Sequence, residues 1–390
     1  MASGPTGRSS LQTHFHAEPE AAMPLPSPLS RFRGCLLGGA AGDALGTPVE
    51  QLSHAEICRQ FRPDGLTGCA PACGRPGRIT DGTQLSLFTA EGLIRGWVRL
   101  RLHRQTSYTG VTANAYLRWL ATQGLTSVAI REPQTDAPGW LVSRFGLHQQ
   151  RNPGHTCLHA LQAMPYLGAP ASNDSKDCGG VMRSAPAGLF VWRLRGQAGL
   201  QDALTLGTGL AALTHGHPTG AVSGGALAML ILALADGASL PQALDATLAW
   251  LPLADGHQEV LAALQHAKTL AHSAQPPLEA IAALGHGHVA EEALAIAVYC
   301  ALVAKDFAHG VLLAVNHDGN SGTTSAITGN LLGTLLGEAA IPESWLAPLE
   351  LRSVLAEIAG DLHAFADWDI GPAPAQAALT GRISRKYPGI

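Results

Sequence analysis

Arg33-Gly34-Cys35-Leu36-Leu37-Gly38-Gly39-Ala40-Ala41-Gly42-Asp43-Ala44-Leu45-Gly46-Thr47-Pro48-Val49-Glu50 reads as a helix that runs into a loop. The small residues at 38, 39, 40, 41 and 42 leave room for a second helix to approach closely. Asp43 and Glu50 then set carboxylates at the helix end and in the loop beyond it. Two readings are open at this stretch: a tight helix contact with solvated acids, or a helix that delivers two carboxylates to a site.

The rest of the chain repeats the pattern of helix, loop, helix. Apolar residues make up 46% of the 390 residues and aromatics only 5%, with Ala, Leu and Gly dominant. Leu and Ala favour helix and lack the β-branching that strands prefer. Leu87, Phe88, Ala90, Leu93, Ile94 and Trp97 recur at helical spacing. Similar stretches lie at 113–122, 156–164, 201–213, 221–236, 241–251, 257–273, 291–305, 307–316 and 325–336. Alternating runs of strand length are scarce, and no fixed-period repeat or internal linker divides the core. The expectation is one all-α domain over 31–370, preceded by a polar Pro/Ser/Gly-rich tail at 1–30 and followed by a tail at 371–390.

Charge and composition restrict the function. Net charge is -4, and no basic stripe appears, which argues against nucleic acid as the main partner. The longest apolar runs, Gly225–Ala235 and Ala293–Ala304, fall short of a bilayer and read as core helices, so no membrane is expected. The first thirty residues lack a charged start followed by an apolar stretch, and a cytoplasmic location is the default expectation. Seven scattered cysteines do not make a disulfide framework. Cys69 and Cys73, with Cys58 and His54 upstream, would complete a zinc site only as a foursome; the plainer reading is two small thiols in a loop.

The informative segments are loops that interrupt strongly apolar sequence, where polar chemistry is held on a rigid scaffold. Arg78-Ile79-Thr80-Asp81-Gly82-Thr83-Gln84 describes an ordinary helix N-cap, and equally a set of oxygens for a hard cation. Asn152–Cys157 and Asn173–Arg183 are Gly-containing loops before helices, the kind whose N–H groups cradle phosphate. Neither has the Lys-Ser/Thr ending of a P-loop or a preceding strand. Thr214-His215-Gly216-His217-Pro218 offers two histidines at i and i+2, best read as a helix terminator with a polar contact. Asn316–Asn330 is dense in side chains that hydrogen-bond, and burying them beside apolar helices is costly unless they bind something.

Taken in order, these segments resemble the ADP-ribosylglycohydrolase family, sometimes named after the dinitrogenase reductase-activating glycohydrolase. Gly42 through Glu50 match its GDALG-x-x-x-E opening. Pro153–Cys157 match a PGNTC-like turn with His155 in place of Asn, Asn173–Arg183 match N-x-S-x-x-CGGVMR, and Thr214–Pro218 match THxHP. The resemblance runs from about Arg31 to Gly337. It implies an orthogonal multi-helix bundle around a cleft, two magnesium or manganese ions, and hydrolysis of the bond joining ADP-ribose to a side chain or related acceptor. It also implies metal ligands at Glu50, Thr80, Asp81, Asn320 and Thr323. Catalytic work would fall to Glu50 as general acid or base and to Asp81 as the group orienting the ribose. The diphosphate and adenosine would rest on Gly154, Asn173, Ser175, Gly179, Gly180 and His215.

The resemblance breaks at the metal. Where the family has TDDT this chain has Thr80-Asp81-Gly82-Thr83, and the two acids of its DSDT segment are Asn320 and Gly322. Paired divalent ions need several carboxylates to offset their charge, and three are gone. Asp318 lies two residues upstream and is the nearest acid able to substitute, by swinging in. The expectation is weak or partial metal occupancy. Two functions follow: a hydrolase that removes ADP-ribose with one ion or a rearranged set, or a catalytically silent binder of ADP-ribose or of an ADP-ribosylated protein.

Overall fold

The computed structural model describes residues 1, 25–61, 64–72, 74–129, 139–194 and 199–389. Helices come in the order α1 (Pro28–Gly46), α2 (His54–Gln60), α3 (Asp81–His103), α4 (Tyr108–Thr122), α5 (His155–Ala163), α6 (Gly179–Met182), α7 (Ala185–Arg193), α8 (Leu200–Ala212) and α9 (Pro218–Ala235). They continue as α10 (Leu240–Trp250), α11 (Gln258–Ala271), α12 (Pro277–Leu284), α13 (Ala290–Leu302), α14 (Phe307–Val315), α15 (Ser321–Leu336), α16 (Glu343–Leu346), α17 (Arg352–Ala364) and α18 (Ala377–Lys386). The strands among the described residues are β1 (Pro71–Ala72) and β2 (Arg75–Pro76), a two-residue antiparallel hairpin. The all-α expectation holds. One large apolar core runs from Phe32 to Tyr387. A smaller one gathers Leu270, Ile281, Ile296 and Tyr299 where α11, α12 and α13 meet. Helix α9 is the described helix long and apolar enough to cross a membrane, and 83% of that span is buried inside the protein.

The centre of the bundle is the contact between α1 and α15. Gly34, Gly38, Gly42 and Gly46 follow one another every fourth residue and so share one face of α1. They run antiparallel to Gly333, Gly329, Ser325 and Ser321 of α15. A methyl placed on Gly38 would stand 2.4 Å from the Gly329 carbonyl oxygen, and one on Gly42 would stand 2.1 Å from that of Ser325. The two backbones therefore touch without side chains between them. Ser325 donates its hydroxyl to the Gly42 carbonyl at 2.7 Å, which ties the pair across the seam. This seam aims the C-terminal end of α1, with Asp43 and Glu50 beyond it, at the N-terminal end of α15, with Asn320, Gly322 and Thr323. Gly38→Ala is expected to cost at least about 3 kcal/mol, because rigid backbone rather than a movable side chain must retreat. A urea melt checks this; a loss below about 1 kcal/mol would show that the helices separate freely.

Two boundaries are corrected. Helix α1 starts at Pro28, inside the expected tail at 1–30, because Ser27 caps it by accepting from the Ser30 N–H at 3.2 Å and Pro28 suits the first helical position. Residues 2–24 of the expected N-terminal tail lie outside the described residues. At the other end, 371–389 is docked rather than a tail. Helix α18 brings Tyr387 into the core, where its hydroxyl donates to Asp361 and its ring stacks on Trp368. Arg95, itself buried, donates from Nε to the Pro388 carbonyl at 2.7 Å.

Candidate active-site cleft

Asp43 is fully buried and organises the start of α3. Its carboxylate accepts from the Thr80 N–H at 2.8 Å and from the hydroxyls of Thr80 at 2.8 Å, Thr83 at 2.5 Å and Thr47 at 3.2 Å. Burial pushes this acid above the usual carboxylate range, and the three hydroxyls and the amide pull it back. Thr80 also caps α3, accepting from the Gly82 N–H at 3.2 Å, so the capping reading of this segment is correct. The clamp on Thr80 places the next residue, Asp81, at the wall of a cleft.

That cleft has a volume of about 350 Å³. Among its lining residues are Glu50, Thr80, Asp81, Gly154, Asn320 and Thr323, so segments far apart in sequence converge as expected. Burial, then the neighbouring Asp43, pushes Glu50 up to about 7. Asp81 is also pushed up to about 7, by burial first. The Gly154 N–H and Arg183 oppose that shift, while Asp43 and Glu50 add to it.

The other predicted binding residues divide. Gly154 and Gly179 line the cleft, but their N–H groups are occupied: Gly154 donates to Asp81 at 3.2 Å and Gly179 to Asp177 at 3.1 Å. Carboxylates of the protein thus take up two of the donors expected to meet phosphate. Asn173, Ser175, Gly180 and His215 stand behind the wall. Asn173 holds the loop together, donating to the Thr214 carbonyl at 2.9 Å and accepting from the N–H groups of Ser175 at 3.1 Å and Gly216 at 3.0 Å. Gly180 is needed because a methyl there would meet the His215 ring at 2.9 Å. His217 caps α9 through its ring, accepting from the Thr219 N–H at 3.1 Å.

Asp177 was missed by sequence reasoning. It lines the cleft with its side chain 44% exposed, and accepts from His215, Thr156, the Ser175 hydroxyl at 3.2 Å and the Gly179 N–H. Burial alone would raise it, but the His215 ring, the Thr156 hydroxyl and the Gly179 N–H outweigh that and hold it below the usual carboxylate range. Burial lowers His215, more than Asp177 raises it. The neutral ring then donates from Nε2 to Asp177 and accepts at Nδ1 from Thr214, 2.8 Å away. Arg183 donates to Thr214 in turn, which frees that hydroxyl's proton for the ring. Arg183 is fully buried under the cleft, over the Tyr116 ring, and also donates to the Tyr116 hydroxyl and the Gly179 carbonyl, both at 3.1 Å. The nearest clue in the sequence was the carboxylate standing directly before Cys178-Gly179-Gly180.

The positions that the resemblance implies for metal hold other groups. A side chain begun at Gly82 would place Cβ 2.2 Å from Met182 Sδ, so the thioether occupies the space of the missing second acid. Asn320 caps α15, accepting from the Thr323 N–H at 3.0 Å, and donates from Nδ2 to Cys178 Sγ at 3.1 Å. The Thr323 hydroxyl donates to Met182 Sδ at 3.6 Å and lies 3.3 Å from Cys178 Sγ. Burial pushes the Cys178 thiol up to about 12, so it stays protonated. Asp318 does not swing in: it accepts from the His54 N–H at 2.6 Å and so sits at the start of α2. No cluster of three or more His, Cys, Asp or Glu side chains suited to a metal occurs among the described residues. Hard divalent cations want several carboxylate and carbonyl oxygens, and beyond Glu50 and Asp81 this centre presents sulfur, a capping amide and hydroxyls already engaged. The donor set does not fit a pair of such ions. Of the thiols near α2, Cys58 lies 3.5 Å from the His54 ring, Cys69 contacts the Trp345 carbonyl at 4.0 Å, and Cys73 lies outside the described residues.

The profile of the ADP-ribosylglycohydrolase family matches residues 24–370. The chain is 26% identical over 332 residues to the ADP-ribosyl-[dinitrogen reductase] glycohydrolase of Rhodospirillum rubrum, covering 84% of this chain and 92% of that protein. It is 24% identical over 351 residues to the ADP-ribosylarginine hydrolase Tri1 of Serratia proteamaculans, covering 88% of this chain and 82% of that one. A solved structure described as an ADP-ribosylglycohydrolase-related protein complex superposes with a TM-score of 0.63 at 25% identity, over 87% of this chain and 99% of the other. With the family profile extending over most of its length and the same helical fold beneath, this chain belongs to the ADP-ribosylglycohydrolase family.

Proposed function

We propose that the cleft recognises ADP-ribose, free or carried on a modified protein, and that it does so without a firmly held pair of magnesium or manganese ions. One observation carries this reading: five of the six segments, all but Thr214–Pro218, still line a single cleft, while Met182 fills the space beside Gly82. The substrates named for the relatives supply the ligand class. Arg183 beneath the floor contributes fixed positive charge suited to a diphosphate. Helix α5 starts at the cleft residue Gly154 with no side chain capping it, and a helix start lacks intrahelical partners for its first N–H groups.

A second reading, hydrolysis of the glycosidic bond, is favoured by the two carboxylates that remain on the wall, Glu50 and Asp81. Cleavage at an anomeric carbon passes through an oxocarbenium-like state that a carboxylate stabilises and a water must meet. Glu50 is the group that would take or give the proton, and Asp81 the one that would hold the ribose hydroxyls.

Calorimetry with ADP-ribose in chelator tests the first reading. Saturable binding is expected, weaker than with added divalent ion but not abolished. No heat at roughly millimolar ligand, an affinity weaker than about -4 kcal/mol, would contradict it. Release of ADP-ribose from an ADP-ribosylated arginine or serine peptide, measured in the same buffer, tests the second.

A further inference from the structure

A second pocket lies beside the cleft, built from residues the proposed function does not use. It has a volume of about 430 Å³ and is lined by Arg75, Arg78, Arg151, Phe145, Gln149 and Glu350, among others. Arg75 comes from β2, Arg78 from the segment leading into α3, Arg151 from the segment before α5, and Glu350 from the turn before α17. All three guanidiniums converge on one carboxylate oxygen: Glu350 Oε1 lies 3.0 Å from Arg151, 3.2 Å from Arg78 and 3.9 Å from Arg75. The other oxygen accepts from the Ile79 N–H at 3.4 Å.

Charge does not balance there. Three guanidiniums are always protonated, and Glu350 is the one acid among the lining residues, so the pocket carries a surplus of two positive charges. Arg151 is buried to 95%, yet its Nε has no hydrogen-bond partner, and neither has the Nε of Arg78. A buried donor left unmet costs free energy unless something accepts from it. Phe145 sits at the rim with 78% of its surface exposed, an aromatic face beside a cationic pocket.

We propose that this pocket binds a phosphomonoester dianion, with Phe145 offering its ring to the organic group that carries the phosphate. A dianion cancels the surplus charge, and the planar forks of arginine match phosphate oxygens in pairs. The ring favours an aromatic or nucleobase substituent over a bare ion. The pocket shares two segments with the cleft. Arg78 stands three residues before Asp81, and the Arg151 carbonyl accepts from the Asp81 N–H at 3.1 Å. It is nevertheless a separate site, since the two sets of lining residues do not overlap.

The test is titration of the full chain with inorganic phosphate and with phenyl phosphate, at ionic strength matched with chloride. Both are expected to bind saturably, phenyl phosphate more tightly. Arg75→Gln, at an exposed position outside the cleft, should weaken both by about tenfold, the worth of a hydrogen bond to a charged group. Phe145→Ala should weaken phenyl phosphate alone. Saturating ADP-ribose should leave both affinities unchanged. Absence of saturable binding would overturn the proposal. So would binding that ADP-ribose displaces and Arg75→Gln leaves intact, since that places the anion in the cleft. Phenyl phosphate binding indifferent to Phe145→Ala would refute the part given to the ring.

Discussion

Gly82→Asp, Asn320→Asp and Gly322→Asp, made together, are expected to raise the firmly held divalent ions from the less than one per chain expected of the parent to two. Glu50, Thr80, Asp81 and Thr323 already line the cleft to complete the set. The three positions differ in what they demand. A side chain at 322 has room, since its Cβ would meet the Glu50 carboxylate at 3.4 Å, an ordinary contact distance. Asn320→Asp keeps the oxygen that caps Thr323 and gives up only the donation to Cys178. Gly82→Asp requires the Met182 thioether to swing away, because 2.2 Å is too close for any Cβ. Adding Met182→Ala therefore separates the steric cost from the electrostatic one. In chelator the triple variant should lose on the order of 3 kcal/mol, from carboxylates buried against Glu50 and Asp81 without a counter-charge. Excess manganese should return most of that, because an ion that binds only the folded state at a hundred times its dissociation constant contributes about 2.7 kcal/mol. Release of ADP-ribose should become faster than in the parent and require the ion. A parent that already turns over at roughly 1 per second or more, unaffected by chelator, would refute this account of the centre.

Glu50→Gln is expected to stabilise the protein at pH 8 in chelator, by on the order of 2 kcal/mol, and to leave it unchanged near pH 4. Burial and Asp43 raise the folded-state value of Glu50 from 4.5 to about 7. A raised acid contributes stability that is fully present below its unfolded value and lost as pH rises through its folded one. The parent should therefore lose this contribution between pH 4.5 and about 7, while the glutamine variant does not. His317, held down to about 4 by burial, acts in the opposite sense, since the unfolded chain takes up its proton first as pH falls. It is common to both proteins and cancels in the difference. Urea melts of the pair at both pH values measure the effect. An equal difference at the two pH values would mean that Glu50 titrates alike in the folded and unfolded chain, and so meets solvent rather than a crowded cleft.

The helices were legible where apolar residues kept a 3.6-residue period, as in α3, or ran on as a long apolar stretch, as in α9 and α13. Helix α18 was not, because Ala377–Lys386 is short and half of it is polar, and its burial rests on Ile383 and the neighbouring Tyr387. The close approach of α1 was legible in its small residues, but its partner was not, since the four matching residues of α15 lie about 300 positions away. In the cleft, Glu50, Thr80, Asp81, Asn320 and Thr323 were found through ordered motifs. The replacement of oxygen by sulfur was hidden, because Cys178 and Met182 look like ordinary apolar residues of a matching segment. The pairing of Asp177 with His215 and the capture of the Gly154 N–H by Asp81 join residues 38 and 73 positions apart, and no local pattern encodes either.

The most direct test of the depleted centre is elemental analysis and ADP-ribose calorimetry on one preparation, dialysed first against magnesium and manganese and then against buffer. The account predicts less than one firmly retained ion per chain together with saturable ADP-ribose binding. Two retained ions per chain would contradict it, and would mean that Asn320 and the hydroxyls of Thr80 and Thr323 leave their present partners to join Glu50 and Asp81 around the metal.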